Sequence, residues 1–312
     1  MREFQIGQKD DGRGIEKWLL FAAPGLTMGL ARKYLRLKRV RVNGKPAHDG
    51  ACLAAGDAVQ VYLNDELFEE KPRENKLLAG FRHRVDVAYE DDNILIADKR
   101  PGMRAHPDDE EKVDTLVTHI QAYLYQKGEY GDFEPALCNR IDRFTGGLVI
   151  AAKTREALLA MDRLIRNREV RKFYLCAAAG KMPRESGALK GYLLKEGKRA
   201  RVLEKSAPGA QYAETLYRVL SFENGVSLVE CELVTGRTHQ IRAQFAAAGH
   251  PLIGDTQYGD PAVNRNYPVH FQQLYAYRVE FAFASDAGIL SYLNGMSVQV
   301  KALHKGFSEI RL

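Results

Sequence analysis

The chain has 312 residues, more than one typical domain, so two domains are expected. With 45% hydrophobic and 28% charged residues and a net charge of +6, it can bury a core in water and leans toward a polyanionic partner. No apolar stretch is long enough to span a bilayer. The polar start, Met1 to Gly14, lacks the apolar run of a secretory signal, and Cys52, Cys138, Cys176 and Cys231 lie far apart with no Cys-x-x-Cys pair. Neither a membrane-spanning helix, nor a disulfide framework, nor a structural metal centre is expected, and the cytoplasm is the expected location.

In chain order, Gly14 to Ala23 has helical spacing (Ile15, Trp18, Leu19, Ala22) and stops at Pro24-Gly25. Thr27 is placed to cap a second helix carrying Leu30, Tyr34 and Leu37. Val40 to Lys45 reads as a strand entering an Asn43-Gly44 hairpin turn, and Ala58 to Leu63 as a further strand after the Gly56-Asp57 turn. Residues 12–64 therefore form a first unit. Between Ala31 and Lys45 it carries Arg32, Lys33, Arg36, Lys38, Arg39, Arg41 and Lys45, with no acid among them. Solvated helix faces mix both signs, so this segment predicts phosphate binding.

Residues 65–83 are mixed in charge and poorly periodic and read as a linker. In residues 84–312, strands are expected at Val85 to Tyr89, Ile94 to Asp98, Leu148 to Ala152, Phe173 to Ala179, Tyr212 to Phe222, Val226 to Val234 and Leu274 to Phe283. Helices are expected at Thr115 to Tyr125, Arg155 to Arg166 and Thr238 to Ala248. Adjacent strands joined by tight turns, as around Asn224-Gly225, predict an α+β fold with a mixed, mainly antiparallel sheet. No glycine fingerprint for a dinucleotide or a P-loop is present.

Three charged segments stand out. Asn139-Arg140-Ile141-Asp142-Arg143-Phe144-Thr145-Gly146-Gly147 places Asp142 between two arginines before a strand. That fits either an ion pair at a turn or an active-site loop at a strand end. In Glu169 to Tyr174, Lys172 and Tyr174 share one strand face, where Tyr174 alone reads as a core aromatic with a satisfied hydroxyl. Thr235 to Arg242 follows a strand and opens a helix, with Thr238 as the expected N-cap. Arg242 lies one turn on, and His239 reads as a hydrogen-bonded structural histidine, since a metal would need further ligands.

Taken in order, these segments resemble the RluA family of RNA pseudouridine synthases. The resemblance runs from about Val85 to the end. It includes Val87 to Asn93, Lys99-Arg100-Pro101-Gly102-Met103, His106-Pro107, Gly249 to Asp255 and Tyr258-Gly259. Residues 12–64 resemble the S4 RNA-binding domain, a small α/β unit, through Arg39-Val40-Arg41-Val42-Asn43-Gly44-Lys45. The resemblance implies a pseudouridine synthase catalytic domain in which Asp142 is the catalytic carboxylate and Arg242 pairs with it. Tyr174 would stack on the target base, and Arg140 would fill the space that a flipped nucleotide leaves. It further implies isomerisation of uridine without a cofactor or metal, Asp142 acting as nucleophile at C1′ or as base on the 2′-hydrogen. The expected partner is structured RNA, ribosomal RNA in preference to transfer RNA, and the expected state is a monomer.

Asn139 and Gly146 stand where the family has His and Ser, and no role is carried to either. These departures motivate a second expectation, an RNA-binding assembly factor that keeps the fold without turnover. A glycosidic hydrolase is disfavoured, because no second carboxylate occupies the matching motifs.

Overall fold

The computed structural model describes residues 1–26, 28–68 and 75–301, and it divides into two units, Met1–Asn75 and Lys76–Leu312. Thr27, the expected cap, lies outside the described residues, as do residues 69–74 of the expected linker and the tail from 302.

The first unit holds β1 (Arg2–Gln5), α1 (Ile15–Ala22), α2 (Met28–Arg36), β2 (Val40–Val42), β3 (Lys45–Pro46) and β4 (Ala58–Val61). Its antiparallel sheet runs β1-β4-β2-β3. The unit thus starts ten residues before the sequence-based boundary, because Arg2–Gln5 pairs with Val61 to Ala58. Asn43 (φ 51°) and Gly44 (φ 76°) build the β2–β3 turn in the left-handed region that Asn and Gly tolerate best. The Asn43 amide then donates to Asp57 at 2.7 Å and accepts from Ala58 N at 2.9 Å, fixing the second turn. Ile15, Trp18 and Leu19 of α1 and Ala31 and Leu35 of α2 bury one stripe against Val40, Val59 and Val61.

The second unit begins with α3 (Lys76–Gly80), so the expected linker ends in a helix. The Gln126 side chain accounts for its attachment, donating to Leu78 O at 2.8 Å and Phe81 O at 2.7 Å. There follow β5 (Val87–Glu90), β6 (Ile94–Lys99), α4 (Leu116–Lys127), β7 (Ala136–Leu137), β8 (Gly146–Ala152), α5 (Arg155–Arg166) and β9 (Val170–Ala179). Next come β10 (Ser186–Glu196), β11 (Arg199–Leu203), β12 (Gln211–Glu223), β13 (Val226–Leu233), α6 (Gln240–Ala247), α7 (Pro261–Asn264), β14 (Leu274–Phe281) and β15 (Ser297–Gln299).

One sheet runs β11-β10-β12-β13-β9-β14-β8-β6-β5, with β15 on β14 and β7 on β8. Among the described residues, all strand pairings are antiparallel except β14 with β8. This is the expected α+β architecture. Both faces of the central strands are covered. Val149 and Ala151 pack with α4 and α6, whereas Leu148 and Ile150 pack with Ala157, Met161 and Leu164 of α5. A strand buried on both faces has to be apolar throughout, which is why β8 reads as a continuous run. Helix α5 is fixed at its start by Thr154, whose hydroxyl accepts from Ala157 N at 3.1 Å. Among the described residues, no helix is long and apolar enough to cross a membrane.

Candidate active site

Asp142 lies in the turn entering β8, closed by Thr145 N on Asp142 O at 3.1 Å. Ile141 is buried beneath it, as the alternation predicts, and Arg140 is exposed. Arg143 departs from the sequence reading. Its Nε donates to Gly102 O at 3.1 Å and its guanidinium lies over the Phe144 ring, so it is no partner for Asp142.

The partner is Arg242, one hundred residues later. Its Nη1 donates to Asp142 Oδ2 at 2.9 Å. Nε and Nη2 grip both oxygens of the fully buried Asp255 at 2.7 and 3.0 Å, and Nη2 also reaches Gln257 Oε1 at 3.1 Å. Asp255 is held in turn by the N–H groups of Gln257 and Tyr258 at 2.9 and 3.0 Å. A planar fork bonded on three sides has no freedom to leave Asp142. Burial works against the Arg242 charge, but Asp255 and then Asp142 outweigh it and raise its pKa. An ion pair at about 4 Å and an effective dielectric near 20 is worth roughly 4 kcal/mol before desolvation. No donor among the described residues reaches Asp142 Oδ1.

Helix α6 begins one residue later than expected. Its N-cap is His239, at φ 56° and ψ 22°, rather than Thr238. Gln240 accounts for the change: its amide caps the preceding loop, accepting from Thr235 Oγ1 at 2.8 Å and Arg237 N at 3.0 Å. The His239 Nδ1 lies 2.9 Å from Tyr258 Oη, so the histidine is hydrogen-bonded as expected, but its Nε2 also faces Asp142 Oδ2 at 3.8 Å.

Tyr174 of β9 is 5% exposed and lines the same cavity, of about 740 Å³, as Asp142, Arg140, Arg242 and Lys172. That volume suits a nucleotide. Contrary to the reading of Tyr174 alone, its hydroxyl has no hydrogen-bond partner among the described residues. Burial, and then the charge of Asp142, raises its pKa, which keeps the ring neutral. Lys172 keeps one bond, to Val170 O at 3.2 Å, and burial pulls its pKa down to about 8.

Lys99, which has no role in the sequence reading, is fully buried at the end of β6. Its ammonium donates to the carbonyls of Arg100, Met103 and Arg143 at 3.1, 2.9 and 3.0 Å, tying the loop after β6 to the Asp142 turn. Burial pulls its pKa down to about 7, opposed by Asp142 and Asp98. A lysine closing an apolar run was the available signal for Lys99, as Asp255 and Tyr258 in the later motif were for the groups around Arg242.

Both departures from the family motif have local explanations. Asn139 Oδ1 accepts from Ile150 N at 2.8 Å, securing β7–β8. At Gly146, a β-carbon would lie 2.3 Å from Tyr275 Cε2, so the tyrosine ring fills the space of a side chain there. Gly147, at φ 110°, brings the backbone of β8 against Ala276 of β14.

The seven cations from Arg32 to Lys45 are all exposed, on α2, the turn after it and the β2–β3 hairpin. Their segment carries no acid, but Asp49 approaches from beyond it, 3.6 Å from Arg32 Nε. Among the described residues, no cluster of three or more His, Cys, Asp or Glu could hold a metal ion. Cys176 and Cys231 are buried thiols with sulfurs 3.7 Å apart.

A mixed, mostly antiparallel sheet with a carboxylate–arginine pair at the mouth of a nucleotide-sized cavity defines the class, and comparison with known proteins gives the family. Residues 93–247 match the family model described as RNA pseudouridylate synthase. The chain is 30% identical over 263 residues to the RNA pseudouridine synthase YhcT of Bacillus subtilis, covering 82% of each. It is 29% identical to ribosomal large subunit pseudouridine synthase C of Rickettsia bellii, covering 79% of this chain and 82% of that one. It is also 29% identical to the mitochondrial tRNA pseudouridine(32) synthase of Saccharomyces cerevisiae, covering 72% of this chain and 46% of the yeast protein. Human RNA pseudouridylate synthase domain containing 4 shares the fold, with a TM-score of 0.55 at 20% identity over 70% of this chain and 89% of that one. The chain belongs to the RluA-type RNA pseudouridine synthases, which are isomerases acting on RNA.

Proposed function

We propose that this isomerase converts uridine to pseudouridine with Asp142 as the catalytic carboxylate and large-subunit ribosomal RNA as its target. The observation that carries this reading is the Asp142–Arg242 pair: Oδ2 is occupied by Arg242 at 2.9 Å, which leaves Oδ1 for a substrate in the cavity that Tyr174 also lines.

The reaction breaks C1′–N1, turns the uracil and joins C1′ to C5. It needs no electron donor or acceptor and transfers no group between molecules. An ionised Asp142 either bonds to C1′ or removes the 2′-hydrogen. Arg242 sets a guanidinium beside that carboxylate in a partly closed site. The nucleotide has to leave its stack, which costs a few kcal/mol. Stacking of the base on Tyr174 returns about 1–3 kcal/mol, and the exposed Arg140 occupies the vacated position. The first unit, 12–64 by sequence, is the S4-like RNA-binding domain in this reading. Arg32, Lys33, Arg36, Lys38, Arg39, Arg41 and Lys45 lie on its exposed surface, where they would contact phosphates.

The ribosomal assignment follows the S4-like unit and the resemblance to the Rickettsia enzyme. Transfer RNA is the second reading, favoured by the yeast relative. Loss of turnover is disfavoured, since Asn139 and Gly146 are each accommodated by neighbouring groups without disturbing Asp142. Release of tritium from RNA labelled at uridine C5 tests the role of Asp142: Asp142→Asn should release none, and retained release refutes it. Pseudouridine maps of cellular RNA with and without the gene identify the target. Sites lost from transfer RNA alone would overturn the ribosomal assignment.

A further inference from the structure

We infer that His239 is a positioning residue for Asp142, held by Tyr258 as the neutral tautomer whose Nε2–H points at the carboxylate. The inference rests on the reading of Asp142 as the catalytic group. It starts from three interactions in series. Ala200 N, in β11, donates to Tyr258 Oη at 2.6 Å. Tyr258 Oη lies 2.9 Å from His239 Nδ1. His239 Nε2 lies 3.8 Å from Asp142 Oδ2.

The first of these fixes the direction of the others. With its oxygen accepting the Ala200 N–H, the tyrosine has one proton to place, and Nδ1 is the acceptor within reach among the described residues. Nδ1 is then unprotonated, so the proton of the neutral ring sits on Nε2. At 3.8 Å, Nε2–H is not yet a hydrogen-bond donor to Asp142. A substrate that presses the two loops together by about 1 Å would complete that bond, as active-site hydrogen bonds commonly tighten on binding. Both donors, Arg242 Nη1 and His239 Nε2, address Oδ2. Together they fix the rotation of the carboxylate and direct Oδ1 to the substrate. Arg242 supplies charge, whereas His239 supplies direction without a second charge.

Backbone geometry supports a special role for this position. Among the described residues, His239 is one of five non-glycine residues at positive φ, and it sits at the start of the helix that carries Arg242. The charges around the ring are Asp142 and Arg140 from the β8 entry, Arg242 from α6 and Asp255 from the segment after it. Burial lowers the His239 pKa, Asp142 opposes that, and Arg242 adds to it, so the ring is neutral at pH 7. Protonation in acid would add a cation on Oδ2 and weaken the carboxylate as base or nucleophile.

The test measures kcat, KM and the pH profile with total RNA labelled at uridine C5, taken from a strain lacking this gene. His239→Leu removes the donor and should lower kcat about tenfold with KM within about twofold, the scale of one hydrogen bond. His239→Gln keeps an uncharged N–H near the Nε2 position. It should recover most of kcat at pH 7.5 and move the acid limb of the profile to lower pH. Tyr258→Phe releases the tautomer and should fall between them. Imidazole nitrogen NMR of the intact wild-type protein reads the tautomer directly and requires no turnover. The inference is overturned if that spectrum shows Nδ1–H, or if His239→Gln is as impaired as His239→Leu with an unmoved pH profile. Asp142→Asn serves as the control. Activity in that variant sinks the reading of Asp142 itself, whereas a dead Asp142→Asn beside fully active His239 variants sinks only this inference.

Discussion

Tyr275 and Gly146 share one space: the ring carbon Cε2 lies where residue 146 would leave only 2.3 Å to a β-carbon. Neither group yields easily, because Tyr275 is 1% exposed and its hydroxyl donates to Asp98 Oδ1 at 2.6 Å. Gly146→Ser should therefore lower unfolding free energy by about 1–3 kcal/mol, the usual range for overpacking. Combined with Tyr275→Ala, it should cost less than the sum of the two single changes, a coupling readable by denaturant melts. Additive losses would show that the ring and the glycine are not matched.

Arg242 is shared between a fully buried carboxylate and the one at the cavity, and that sharing sets the next expectation. Asp255→Asn keeps the shape but removes the charge that holds the guanidinium from behind. Turnover should fall at least tenfold, although Asp255 itself faces away from solvent. Arg242→Met leaves Asp255 without its ion pair and should destabilise the fold by about 3–5 kcal/mol as well as abolish turnover. Comparison of thermal melts with initial rates separates the two effects, since Asp255→Asn should damage rate more than stability.

Much of this architecture is legible in the sequence where one local rule decides the outcome. β8 has to be apolar on both faces, and Asn224-Gly225 adopts the paired positive φ values, 51° and 77°, of a tight hairpin. β10 was not legible. Its Gly187 and Gly191 weaken the strand pattern, yet they are needed where Tyr217 and Leu203 O each come within 3.0 Å of a β-carbon position. At the site, the order of motifs brought Asp142, Tyr174 and Arg242 together by resemblance. The Tyr258–His239 hydrogen bond joins residues 19 apart, across α6 and the irregular segment that follows it, and Lys99 reads as an ordinary strand end until its three carbonyl acceptors are known.

Acid should destabilise the protein through histidines that the fold keeps from charging, the buried His119 above all. The half-buried His239 and the buried His119 both have lowered pKa values, burial being the first cause in each. His119 shows why in atomic terms: Nδ1 accepts from Arg84 N at 3.0 Å while Nε2 meets Asp114 Oδ1 at 2.7 Å, a pattern that only the neutral ring satisfies. The unfolded chain, with ordinary values near 6.5, takes up protons first as pH falls. Stability should therefore be full above about pH 6.5 and decline below it, until the folded-state values are also passed. Urea titrations between pH 5 and 8 measure this slope, and His119→Gln should remove part of it.

The basic surface of the first unit should act on binding and not on chemistry. Arg32 already faces Asp49 at 3.6 Å, so its replacement should matter little. Lys33, Arg39 and Lys45 are exposed and have no ion-pair partner among the described residues, which makes them the better probes. If each neutralises one phosphate, reversing all three to Glu removes that attraction and adds repulsion. KM should rise at least tenfold, while kcat at saturating RNA stays within about twofold. The slope of log affinity against log salt should become shallower by roughly two to three, near 0.7–0.9 for each phosphate that is no longer neutralised. An unchanged slope would place the RNA away from this surface, and a fall in kcat with constant KM would mean that the unit serves the chemistry rather than the grip.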